Sequence, residues 1–153
     1  MGLVGFVAVV LYGVFGAVQI LVLNPLAAAP GRTLAEVYAL VDAAGEPIPV
    51  APVLVVLGFG VLLGAVIAAL SFRPRATTAA VSLGILGILA GGAPAYFVAS
   101  FGPGMALADG LETTGADHSQ WSILLYAVSL LAVAGMVVVG MGTSRRTNVP
   151  AVP

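Results

Sequence analysis

Four long apolar runs alternate with short polar segments along the chain, and this alternation is the main structural signal in the sequence. The runs cover residues 3–23, 50–72, 76–101 and 121–141. At about 1.5 Å per helical residue, each is long enough to cross a hydrocarbon core of about 30 Å. Asn24-Pro25 is read as the stop of the first run, Arg73-Pro74-Arg75 as a tight turn between the second and third, and Gly142 as the end of the fourth. The first run opens without a basic residue and exceeds a signal-peptide core, so it reads as an uncleaved span. The expected fold is an all-α membrane protein: a four-transmembrane-helix antiparallel bundle forming a single integral membrane domain.

The polar segments add one more helix. In the loop over residues 24–49, Thr33-Leu34-Ala35-Glu36 fits a capping box, in which the threonine hydroxyl accepts from a free backbone amide and the glutamate reaches back to the cap. Leu34, Val37, Tyr38 and Val41 follow at helical spacing, and Gly45 suits the terminating left-handed conformation. A short amphipathic surface helix is therefore expected. Its apolar stripe is either the underside of a lid or a docking face for a partner. The segment 102–120 carries Pro103, Gly104, Gly110 and Gly115, so it reads as an irregular loop, with Asp117 or Ser119 as cap of the fourth span.

Charge sorts these segments across a bilayer. All six acidic residues fall within residues 24–49 and 102–120, whereas Arg73, Arg75, Arg145 and Arg146 lie in the turn and in the tail over residues 142–153. Arginine-rich segments remain in the cytoplasm. Both termini are thus expected to be cytoplasmic and the acidic loops external, in a plasma (inner) membrane. The tail arginines can meet anionic lipid headgroups.

Composition excludes several classes. With 61% hydrophobic and 7% charged residues, the chain cannot present the surface of a soluble domain. No basic patch suits nucleic acid. Cysteine is absent, which removes disulfides, thiolate nucleophiles and cysteine-ligated metals. The lack of lysine and the bias to alanine, glycine and valine point to a bacterium with GC-rich DNA.

Function is harder to read than location. An ionised residue inside a span would mark an ion path or proton relay, and none of the four runs has one. The polar content is neutral and striped: Tyr12, Gly16 and Gln19 on the first span, and Ser122, Tyr126 and Ser129 on the fourth. These read as interhelical hydrogen bonding, with Gln19 and Tyr126 at similar depth, or alternatively as a small polar ligand cavity. Gly60 and Gly64, and Gly87 and Gly91, form small-xxx-small pairs suited to close helix approach. Gly91-Gly92-Ala93-Pro94 is the place where a span is expected to kink, or to break at a binding site. His118 reads as a loop histidine, its alternative being a cation ligand among the external carboxylates.

No catalytic residues, cofactor or metal site are expected. The sequence reading is an accessory, assembly or stabilising subunit, in contact with membrane lipids and with other membrane subunits or copies of itself. Its alternative is an oligomeric carrier or pore for a small neutral or lipophilic solute.

Overall fold

The structure, a computed structural model, describes residues 2–147 and side chains as far as residue 142. The described residues are all-helical and contain no strand. They comprise α1 (Gly2–Val18), a π-helical turn (Gln19–Leu23), α2 (Asn24–Ala28), α3 (Leu34–Ala43), α4 (Val50–Leu70), α5 (Thr78–Ala90), α6 (Gly92–Leu111) and α7 (Ser122–Thr147). Four helical stretches are long and apolar enough to cross a membrane: Gly2–Ala28, Val50–Leu70, Thr78–Leu111 and Ser122–Gly142. Their large apolar side chains, such as Leu3, Leu11, Phe59 and Leu130, lie outward, as expected where the solvent is hydrocarbon.

The first stretch does not stop at Asn24-Pro25. One residue is accommodated by the π turn, where the Asn24 N–H donates to the Gln19 carbonyl, and the chain continues helically through Pro25 to Ala28. Proline has no N–H to give the carbonyl one turn earlier, that of Leu21. The Tyr38 hydroxyl from α3 donates to that carbonyl instead, at 3.0 Å. A partner supplied from outside the helix thus replaces the missing bond.

The third stretch also outruns its expected end at residue 101. Pro103, Gly104 and Gly110 lie within α6, not in a loop. Tertiary contact explains this. A Cβ on Gly110 would come within 3.0 Å of the Val41 backbone, and one on Gly104 within 3.0 Å of the Gly115 carbonyl, so these residues are small because other segments press against α6. The helix ends at Glu112, whose φ of 53° is left-handed. Thr113 then returns its N–H to Ala108 O and its hydroxyl to Leu107 O.

The capping box of α3 forms in full: Glu36 N–H donates to the Thr33 hydroxyl oxygen and the Glu36 carboxylate accepts from Thr33 N–H. Val37 and Val41 are completely buried, in a cluster with Ala106 and Leu107 of α6. The stripe Leu34, Val37, Tyr38 and Val41 is therefore not a free docking face. Its two valines are already covered, and Tyr38 is tied to Leu21.

At the opposite end, α4 and α5 are joined by a turn through Arg73-Pro74-Arg75, and the Thr77 hydroxyl caps α5. α1 packs chiefly on α4, and α5 on α7. Gly64 meets Val9 and Phe6 closely, and Gly16 meets Leu57. The central core joins Ile20, Val53, Leu57, Tyr96, Ala99 and Leu125. α7 remains helical to Thr147, so the first residues of the expected tail extend the helix; residues 148–153 lie outside the described residues.

Candidate functional site

Neutral polar side chains converge where the first and fourth stretches meet the acidic segment 112–121. The π turn places Gln19 in the interior, fully buried. Its amide N–H donates to Ser119 O at 3.2 Å and its oxygen accepts from the Ser119 hydroxyl at 3.1 Å. Ser122 adds its hydroxyl to the same Ser119 carbonyl. Asn24, also buried, accepts from His118 N–H at 2.6 Å and Ser119 N–H at 3.2 Å through one side-chain oxygen. A segment that would otherwise carry free amides into a low-dielectric site is thus fastened to the first helix.

This arrangement revises two expectations. Gln19 is bonded to Ser119, and Tyr126 is packed edge-on against Tyr96 with ring centroids 5.7 Å apart. Neither Asp117 nor Ser119 caps the fourth helix with its side chain. Asp117 accepts from the Tyr96 hydroxyl at 3.0 Å, and Ser119 is committed to Gln19. His118 turns its ring to the Thr114 carbonyl. Among the described residues, no group of three or more side chains is arranged to hold a metal ion.

Deeper in the molecule, the third stretch breaks at Gly91, which separates α5 from α6. Pro94 cannot return an N–H to Ala90. The nearby Leu89 carbonyl accepts from the Ser129 hydroxyl at 2.8 Å. Because that bond uses the only Ser129 proton, the 3.2 Å contact between Tyr12 and Ser129 must have the tyrosine as donor, with Leu125 O a second acceptor at 3.4 Å. The two predicted stripes therefore meet at Tyr12 and Ser129. Gly92 makes room for this, since a Cβ there would lie 2.5 Å from the Tyr12 ring.

Beside the break is a cavity of about 690 Å³, bordered by Tyr12, by six glycines including Gly60, Gly84, Gly87 and Gly92, and otherwise by aliphatic and aromatic side chains. Gly60 and Gly87 do not make the close helix contact expected of them. A Cβ on Gly87 would meet nothing within 4 Å, and one on Gly60 only Ile88 at 4.0 Å. Gly64 is in tight contact, whereas Gly91 faces only the carbonyls of its own helix. Asn24, Tyr96, Asp117 and Ser119 carry more of the polar architecture than their sequence context indicated. The only available signal was that each is a polar residue within or beside an apolar run.

Outside the spans, the Thr33 backbone N–H and then its hydroxyl hold the Glu36 carboxyl below its ordinary range, while burial raises the Tyr38 phenol. No family model, curated protein or solved structure matches the chain.

Proposed function

We propose that this chain is a structural membrane subunit: a single-domain, antiparallel four-helix bundle of the plasma membrane with both termini cytoplasmic, which packs against a larger membrane complex or copies of itself. The observation that carries the reading is the completeness of its internal bonding. Among the described residues, every buried side-chain nitrogen or oxygen has a hydrogen-bond partner. Interior polar groups devoted to one another fix a shape and leave apolar helix faces for lipid or neighbouring helices. Four of the five arginines at one end and the six carboxylates at the other support the orientation. Extraction in mild detergent followed by native mass spectrometry tests the proposal. Stable co-purifying subunits or a defined homo-oligomer are expected, and a lone monomer counts against it.

The 690 Å³ cavity favours a second reading, a carrier for a small lipophilic solute, since its volume falls in the range of about 300–1,000 Å³ typical of ligand sites. Gly87→Leu would place its side chain in that space. Flux of a lipophilic dye into liposomes that this substitution abolishes supports the carrier. Equal flux in protein-free liposomes removes it.

A further inference from the structure

We propose that the small pocket at the acidic end of α6 binds an organic ammonium group. The pocket has a volume of about 170 Å³ and is bordered by Asp117, Asn24, Ser100, Phe97, Phe101 and Tyr126. This is less than the roughly 300 Å³ at which drug-sized sites begin, and it suits a single headgroup.

Each wall selects for the same chemistry. The Tyr96 hydroxyl donates to one oxygen of Asp117, which fixes the carboxylate and leaves its second oxygen for a ligand. Countercharge is scarce at this end. Four of the five arginines belong to the opposite end, and Arg32 lies beside Glu36. Asp117 is itself exposed, so a ligand can reach its carboxylate. The adjacent aromatic residues supply what a soft cation prefers: Phe97 and Phe101, with centroids 6.4 Å apart, are 60% and 62% exposed.

A bare metal ion fits poorly. The site offers one carboxylate, and Asn24 has already committed its oxygen to the His118 and Ser119 amides, so its remaining polar group is an NH2 donor. That donor repels a metal but can bond to an oxygen near the ammonium of an organic ligand. The loop itself is held in place, because Gly115 O approaches α6 at Gly104, where a Cβ would come within 3.0 Å.

The ammonium can belong to a free solute or to a lipid headgroup, and two measurements separate these sources. The full chain in phosphatidylglycerol nanodiscs is titrated calorimetrically with choline and with its uncharged isostere 3,3-dimethylbutan-1-ol. In parallel, native mass spectrometry scores retention of phosphatidylcholine over phosphatidylglycerol from mixed micelles. A free-solute site gives saturable choline binding at least about tenfold tighter than the isostere. A headgroup site gives selective phosphatidylcholine retention without choline binding. In either case Asp117→Asn abolishes binding and Phe101→Leu weakens it several-fold. Equal binding of choline and the isostere overturns the proposal, as does retention of neither choline nor phosphatidylcholine. Binding unchanged in both variants overturns it too. Phe101 makes no hydrogen bond, so its variant and the isostere comparison remain decisive if Asp117→Asn does not fold.

Discussion

Two of the membrane-length helices are interrupted, and they resolve the interruption differently. In the first, a π turn precedes Pro25, and α3 covers the disturbed backbone with Tyr38. In the third, the helix breaks at Gly91 and Ser129 takes up the Leu89 carbonyl from a neighbouring span, but a cavity is left alongside. Both depend on a hydroxyl from elsewhere in the chain, since backbone groups inside a bilayer have no water to turn to. The difference lies in packing. One interruption is filled by a lid, whereas the other opens between helices at positions where glycines provide no side chain.

The largest effect is expected where the second interruption is tightest. Gly92→Val would drive a branched side chain into the Tyr12 ring, 2.5 Å from the Cβ position, and overpacking of this kind costs about 3 kcal/mol. Gly87→Ala is the matched control. Its Cβ enters open space, and alanine's better helix propensity should leave stability unchanged or raise it by up to about 1 kcal/mol. Unfolding in mixed micelles by sodium dodecyl sulfate, followed by circular dichroism, measures both. Equal destabilisation by the two substitutions would mean that the glycines serve a common packing role and that the cavity does not distinguish them.

The two repairing hydroxyls provide the next comparison. Ser129→Ala leaves the Leu89 carbonyl without its 2.8 Å donor and removes an acceptor from Tyr12, at an expected cost of about 2 kcal/mol. Tyr38→Phe removes a single bond to Leu21 at a half-buried site and should cost only about 1 kcal/mol. The same unfolding assay ranks them. A larger loss for Tyr38→Phe would make the lid, not the central contact, the principal support of an interrupted helix.

What was legible in the sequence follows the range of the interactions. The four apolar runs and the Thr33/Glu36 cap are local patterns, and each appears in the helices. Tyr12 and Ser129 were also accessible, because polar residues spaced one turn apart on two spans define faces. Asn24-Pro25 and Pro103-Gly104 carry ordinary breaker signals, yet helix persists through both because α3 and the Gly115 segment supply contacts that no local rule contains. The partners of Asp117 and Ser119 lie 21 and 100 residues away, so reading them as caps reflected only their neighbours in sequence. On α3 the apolar stripe was visible, but its burial against α6 depends on where α6 lies.

The smallest predicted effect concerns the lid itself. Its capping carboxylate, Glu36, titrates below its ordinary value of 4.5 because Thr33 donates to the charged form through both its N–H and its hydroxyl. A folded-state value below the unfolded one means that the contribution is fully present above the unfolded value. It declines as pH falls through the folded one. Acidification below about 4.5 should therefore loosen the first turn of α3. Hydrogen exchange at the Glu36 and Val37 amides, corrected for the intrinsic pH dependence, should accelerate over that interval. Glu36→Gln should remove the pH dependence. Because Glu36 is fully exposed, its effect should also shrink with added salt. By contrast, the half-buried Tyr38 bond that anchors the same helix over Pro25 should be insensitive to both changes. Acceleration that extends to the Tyr38 and Val41 amides in the same interval would mean that the cap and the anchor act as one cooperative unit.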